Sequence, residues 1–297
     1  LIMILSAKIV PLLRKHGPDP HDGRMQEPFE QRVKRWLVAY ADSFRELDAL
    51  HPMLEFKLGH SARVAAYARL VAQASGWSAE ETGLGESAGW LHDVGRFTQW
   101  VEYGTYQDAL SIDHAQRSRE VVQGSSWLET LPDAHQRRLL DAIGHHNKRE
   151  LPASIDQDSL PLCHLVRDAD KLDILDLTHR MLMDGTLQEA QPQLSGEPYV
   201  SDELIEEIQE TGRGSYAKMR TLMDFVVVSV AWAWDFQFAA TARLVLEQEM
   251  MAKLEPYLPS TERVGQLLRQ ARVQLEKSSA GVRLFESERK VLGEPIG

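Results

Sequence analysis

The chain has 297 residues, 43% hydrophobic and 26% charged, a balance that fits a globular protein and excludes collagen-like, low-complexity and disordered classes. Its formal net charge of -11 would repel a phosphate backbone, so general nucleic-acid binding is not expected. The single cysteine, Cys163, excludes an intramolecular disulfide framework and a cysteine-rich zinc module, and it fits a reducing cytoplasm. Any metal site must therefore use histidine and carboxylate ligands.

Residues 1–27 are predicted to form an N-terminal extension ahead of the compact domain. They contain the turn signals Gly17-Pro-Asp-Pro and His21-Asp-Gly, and the apolar start Leu1-Ile-Met-Ile-Leu has no basic region before it. The longest apolar run, Phe225 to Trp234, is far shorter than the ~20 residues of a membrane helix. We therefore expect neither a signal peptide nor a membrane partner, and we assign no function to the extension.

Helical periodicity dominates from Phe29 onward. The second predicted helix, 53–75, stops at Gly76, and the third opens at the capping box Ser78-Ala-Glu-Glu81 and runs toward Gly95. Further helices are predicted at about 113–124, 134–146, 160–185, 201–211, 215–235, 237–254 and 260–278. Period-two alternation is nearly absent, so the predicted fold class is all-α, with one domain over 28–297 and a long loop near 190–200.

Several of the eleven histidines lie beside an aspartate or another histidine where predicted helices end. His92-Asp93 is the densest case. Neighbouring residues on a helix point about 100° apart, so this pair can reach one metal from two directions only near a helix end, which Val94-Gly95 supplies. Four histidines in polar or turn-like surroundings are predicted to be solvated: His16, His21, His51 and His135.

The candidates follow the order His60, His92-Asp93, His114, His146 and Asp170. This order resembles that of the HD superfamily of metal-dependent phosphohydrolases. Leu91-His-Asp-Val-Gly-Arg96 is similar to the central motif of that family, Gly59-His-Ser-Ala-Arg-Val64 to its first histidine helix, and Arg167-Asp-Ala-Asp-Lys-Leu-Asp173 to its terminal aspartate motif. Three further segments resemble a branch of uncharacterised bacterial HD proteins: Tyr103 to Asp108, Ser111 to Ala115 and Ala142 to Lys148. The resemblance covers about residues 55–180 and implies an HD-domain helical bundle with additional C-terminal helices at about 200–280.

The resemblance implies one or two divalent transition-metal ions. Fe, Mn, Co, Ni and Zn suit imidazole and carboxylate ligands better than Mg does. The implied ligands of the first ion are His60, His92, Asp93 and Asp170; those of the second are Asp93, His114 and His146, with Asp93 bridging. His145 stays an alternative to His146, because a shift of one residue would exchange them. Taken alone, His60 could be a core histidine and Asp170 an ion-pair partner of a neighbouring cation.

Other polar residues are candidates for supporting roles. Arg96 and Lys148 could bind a substrate phosphate beside Asp93, or they could be solvated cations. Asp113 and Gln116 form a capping pattern for the helix that carries His114. Asp168 and Asp173 are candidates to orient the imidazoles as hydrogen-bond acceptors.

The leading hypothesis is an enzyme that cleaves a phosphomonoester or phosphoanhydride with metal-activated water. Its partner would be a small phosphorylated molecule, of which a nucleotide is one candidate, and a homo-oligomer is allowed. The alternative is a mixed-valent diiron oxygenase, which uses the same ligand set in HD-fold relatives. A non-catalytic nucleotide sensor is disfavoured because all six implied ligands are retained.

Cys163 lies in an apolar run and is predicted to be a buried core residue instead of a nucleophile. The aromatic cluster from Phe225 to Phe238 is predicted to serve packing, and a lid over the site is the alternative.

Overall fold

The structure is a computed structural model that describes residues 27–282. These residues form helices joined by loops and short 3-10 helices, with no strand among them, which confirms the predicted all-α class. The described chain divides into two compact units, residues 27–169 and 170–282. The predicted N-terminal extension lies outside the described residues except for Glu27, and the single domain predicted over 28–297 stays a prediction.

The first unit carries every histidine of the metal-site prediction. Short 3-10 helices, including Asp108–Leu110, Ser126–Thr130 and Gln157–Ser159, connect its longer elements. In chain order the α-helices are α1 (Phe29–Asp42), α2 (Pro52–Ala74), α3 (Ala79–Leu91), α4 (Gly95–Tyr103), α5 (His114–Gln123), α6 (Asp133–His145) and α7 (Leu160–Asp184), whose last residues belong to the second unit.

The second unit continues from Asp170 along α7. Its later helices are α8 (Leu187–Ala190), α9 (Asp202–Thr211), α10 (Leu222–Ala231), α11 (Ala239–Glu247), α12 (Met250–Leu254) and α13 (Glu262–Ser278). The third predicted helix, 78–95, and the two over 215–235 and 237–254 are wrong in extent. The third predicted helix ends at Leu91. The helix predicted over 215–235 begins only at Leu222 as α10, where the side chain of Thr221 accepts a hydrogen bond from the backbone N–H of Asp224. The helix predicted over 237–254 is divided into α11 and α12, because Glu249 adopts a left-handed conformation with a φ of 52°.

Two glycines bring the helices of the first unit close together. A Cβ at Gly89 on α3 would lie 2.6 Å from the Cα of Ala65 on α2, and a Cβ at Gly95 on α4 would lie 2.5 Å from the backbone N of Ser118 on α5. Only glycine allows backbones to approach this closely. The residues between these glycines, including His92 and Asp93, are therefore held against both α2 and α5.

Aromatic packing fills the first unit beside these contacts. The ring of Tyr40 stacks on Trp36 with centroids 5.3 Å apart, and it meets Phe44 edge-on at 5.1 Å and Phe97 at 5.8 Å. Because aromatic pairs in these geometries stabilise beyond their buried area, the cluster fixes α1 against α4. In the second unit, Phe225 and Trp232 are buried, as a packing role predicts.

A helix that crosses a lipid bilayer must be both long and predominantly apolar. None of the helices in residues 27–282 meets both conditions.

The close approach at Gly89 gives a test of the helix packing. Gly89→Ala should destabilise the protein by about 1–2 kcal/mol, because the clash with the Ala65 backbone outweighs the roughly 1 kcal/mol gained from helix propensity. The matched control is Gly265→Ala on α13, where the nearest atom is the flexible Nη1 of Arg269 at 3.2 Å. Thermal unfolding of both variants measures the difference, and an equal or raised midpoint in Gly89→Ala would contradict the packing argument.

Candidate metal centre

The predicted ligands of the first unit all lie at or near helix ends, except for His60, which lies within α2. Helix α3 ends at Leu91 and α4 begins at Gly95, so His92 and Asp93 occupy the break between two helices, as the sequence predicts. His114 is the first residue of α5, and His146 follows the last residue of α6. All five side chains are buried.

The two carboxylate oxygens of Asp93 face two separate pairs of histidines. The Nε2 atoms of His60 and His92 lie 3.1 Å apart, and they are 3.6 and 3.7 Å from Oδ2 of Asp93. The Nε2 atoms of His114 and His146 lie 3.0 Å apart, and they are 3.4 and 3.6 Å from Oδ1. One carboxylate therefore connects two groups of three ligand atoms.

These groups fit metal ions. Metal–ligand bonds of about 2.1 Å place neighbouring ligand atoms about 3.0–3.4 Å apart, close to the spacing within each group. The buried Oδ1 of Asp93 accepts no hydrogen bond from the described residues, although buried polar atoms normally have a partner. The donor set of imidazole and carboxylate suits a divalent transition metal, so both groups could hold an ion.

Hydrogen bonds to the other ring nitrogen orient the imidazoles. Nδ1 of His92 lies 2.8 Å from the carbonyl oxygen of Gly89, and Nδ1 of His146 lies 2.8 Å from that of Ile143. A carbonyl oxygen only accepts, so each Nδ1 donates and each Nε2 presents its lone pair to the cluster. His145 instead bonds the carbonyl of residue 141 and lies outside the ligand groups, so His146 is the member that joins them.

Two cations flank Asp93. The Nζ of Lys57 lies 2.7 Å from Oδ2, and the Nε of Arg96 lies 3.4 Å from Oδ1. Burial alone would raise the pKa of Asp93, but the positive charges of Lys57 and Arg96 hold this pKa well below its usual value. Lys57 is not among the residues predicted from the sequence, although its position three residues before His60 places both on one face of α2.

Arg96 lies at the cluster and not in solvent. Its Nη1 donates to the carbonyl oxygen of Tyr106 at 2.6 Å and to Oε1 of Gln99 at 2.8 Å, while Nη2 lies 3.3 Å from Nε2 of His114. Burial and the Arg96 charge lower the pKa of His114 to about 4, so its ring is neutral at pH 7. Lys148 is more exposed and forms an ion pair with Asp113.

The other aspartates predicted around the site lie at two different helices. Asp113 caps α5 through the backbone N–H of Ala115 at 3.1 Å, as the capping pattern predicts. Asp168 and Asp173 are fully buried on α7. Asp170 lies between them and is the first residue of the second unit, so its role as a ligand stays a prediction.

Cys163 is a buried core residue. Burial raises the pKa of its thiol to about 12, which leaves almost no thiolate at neutral pH. The prediction that Cys163 is buried is therefore confirmed.

The contact between Lys57 and Asp93 gives a test of the site electrostatics. Lys57→Met should destabilise the metal-free protein by about 1–3 kcal/mol at pH 7, because a buried carboxylate loses its closest cation. The variant raises the pKa of Asp93, so the destabilisation should shrink as the pH falls through that raised value and the carboxyl becomes neutral. Urea unfolding at several pH values measures both effects.

Lys148→Met is the matched control, since its ion pair with Asp113 is partly exposed and should contribute less than about 1 kcal/mol. A loss for Lys57→Met no larger than that of the control, or one that grows toward acid pH, would contradict the assigned contact.

Comparison with known proteins identifies the family of the segment that carries this centre. Residues 58–175 match the family model of the HD domain, whereas no curated protein and no solved structure matches the chain. HD domains are generally metal-dependent hydrolases, and the matched segment includes both histidine pairs and Asp93. The helical fold and the histidine and aspartate cluster agree with that match, and residues 58–175 are therefore an HD domain.

Proposed function

We propose that the protein is a phosphohydrolase that uses divalent metal ions and water to cleave a phosphomonoester or a phosphoanhydride. The observation that supports this proposal is the pair of cations at Asp93, with Lys57 on Oδ2 and Arg96 beside Oδ1. The carboxylates of Asp93, Asp108 and Asp170 together carry less negative charge than the positive charge that Lys57, Arg96 and two divalent ions would supply. The site then has an excess of positive charge, which suits a phosphate group.

The proposed metal ligands follow the two groups around Asp93. His60, His92, Asp93 and Asp170 would hold the first ion, and Asp93, His114 and His146 the second, with Fe, Mn, Co, Ni or Zn preferred over Mg. When bound, such ions polarise a phosphoryl oxygen and lower the pKa of a coordinated water.

The side chains around the metal ligands would bind and orient the substrate. Tyr106 places its ring 5.4 Å from the Nζ of Lys57 and 5.5 Å from the guanidinium carbon of Arg96, so the three groups form one wall beside Asp93. The guanidinium would contact the substrate phosphate through the edge that faces His114. Lys148 is proposed as a further phosphate contact, reached by releasing its ion pair with Asp113.

The partner is proposed to be a small phosphorylated molecule, with a nucleotide as one candidate. A cytoplasmic location and a homo-oligomer stay predictions from the sequence.

Metal content tests the ligand assignment. Protein purified anaerobically without chelator should carry two transition-metal ions, measured by elemental analysis. His92→Ala and Asp93→Ala should lose metal, because each removes a central ligand, while His114→Ala and His146→Ala should retain about one ion. His145→Ala is the matched control and should retain two, since its ring lies outside the ligand groups. Full retention in both His92→Ala and Asp93→Ala would refute the site.

Activity assays test the reaction. Asp93→Asn should reduce phosphate release by on the order of 10³-fold or more, because a neutral amide removes the negative charge that both proposed metal positions share. Cys163→Ala should keep most of the activity. A single turnover in oxygen-18 water should place the label in the released phosphate. A covalent adduct on Cys163, or unlabelled phosphate, would overturn hydrolysis by water. Oxygen consumption, measured in parallel, would instead support the diiron oxygenase.

A further inference from the structure

Asp108 contacts two different components of the site. It begins the 3-10 helix Asp108–Leu110 in the connection between α4 and α5. Its Oδ2 lies 2.6 Å from Nδ1 of His114, and its Oδ1 accepts a hydrogen bond from Nη1 of Arg96 at 3.1 Å. One carboxylate thus joins a proposed metal ligand to a proposed phosphate-binding cation.

The partner of His114 differs in charge from those of the other oriented histidines. His92 and His146 donate Nδ1–H to backbone carbonyls, whereas His114 faces a carboxylate. A charged acceptor makes a stronger hydrogen bond, holds the ring with Nε2 free to bind, and increases the electron density on Nε2. His114 therefore differs from His92 and His146 in the charge of the group that accepts its Nδ1–H hydrogen bond.

Neighbouring amides fix Asp108 itself. Gln99 donates from Nε2 to Oδ1 at 3.0 Å, and Asn147 donates from Nδ2 to Oδ2 at 3.3 Å. Gln99 is fully buried and also donates to the hydroxyl of Ser111 at 2.8 Å, so the amide is itself held in place. Both carboxylate oxygens therefore have more than one donor, and a half-buried side chain on a connecting segment keeps a defined orientation.

We propose that Asp108 is a positioning residue that sets the affinity of the second metal position. It holds His114 in the Nδ1–H tautomer with Nε2 toward Asp93, and it anchors the guanidinium of Arg96 beside that position. The first position, with His60 and His92, has no contact with Asp108 among the hydrogen bonds described above and should be insensitive to it. This inference rests on the proposed metal sites. It adds that a change at Asp108 alters the affinity of the second position and leaves that of the first unchanged.

The first arm of the test uses metal-free protein. Long-range proton–nitrogen NMR spectra of histidine-labelled protein report the tautomer of each ring, with His114 assigned by its absence in His114→Gln. Wild type should show His114 protonated on Nδ1, and Asp108→Ala should show exchange between tautomers. Glu120→Gln is the matched control, because it removes one negative charge from an exposed position on α5 and leaves His114 untouched. An unchanged His114 tautomer in Asp108→Ala would overturn the positioning role.

The second arm measures Mn²⁺ binding by equilibrium dialysis. Asp108→Ala and Asp108→Asn should weaken one of the two ions by about 10–100-fold and leave the other unchanged within about twofold, whereas Glu120→Gln should bind both as wild type does. Circular dichroism checks that the variants remain helical. Equal affinities in all proteins, or equal weakening of both ions, would overturn the inference.

The two arms separate this inference from the proposed reaction. Wild-type protein that binds two ions but releases no phosphate would overturn the proposed function, and a selective effect of Asp108→Ala would still support the positioning role. Wild-type protein that hydrolyses phosphate with unchanged metal binding in Asp108→Ala would overturn only the positioning role.

Discussion

The buried carboxylate of Asp93 is the constraint on which the rest of the site depends. A buried charge is unfavourable unless cations or hydrogen-bond donors compensate it. Lys57 and Arg96 supply positive charge from two sides, and the two histidine pairs present ring nitrogens to opposite oxygens of the same group. The chemistry proposed for the protein follows from these positive groups around Asp93.

Backbone geometry makes that arrangement possible. His92 and Asp93 lie between α3 and α4. Backbone N–H groups here donate to the carbonyl three residues earlier, as Val94 does to Leu91, so consecutive side chains depart from regular α-helical spacing. The same short segment is held on each side by a glycine, Gly89 against α2 and Gly95 against α5. A larger residue at either glycine would push the helices apart, so the ligand geometry depends on helix packing as much as on the ligands themselves.

The surroundings of the ligands make His114 different from His92 and His146. Backbone carbonyls orient His92 and His146, but Asp108 adds a negative charge beside His114, and Arg96 adds a positive charge next to the same ring. A carboxylate raises the basicity of the ring and a guanidinium lowers it. In the proposed function, the balance between these two neighbours would set how the second group binds a cation, and Arg96 would link that binding to an anionic substrate.

The sequence by itself determined the helical class and a helix end close to His92 and Asp93, because helix periodicity, caps and glycine stops are local properties of the chain. It also separated the buried Cys163 from the candidate nucleophiles. Local spacing predicts one helix over 237–254 where the structure has α11 and α12. Nothing in the residue type of Glu249 favours the left-handed conformation that separates them.

Only the tertiary structure decided which side chains meet. Lys57 lies three residues before His60, and Asp108 ends a segment that resembles HD proteins, but neither position predicts a contact. Their roles appear when α2 and the connection before α5 come together around Asp93 and His114. The choice of His146 over His145 has the same origin. Neighbouring positions point about 100° apart, so the direction of the chain at the end of α6 determines which ring enters the cluster.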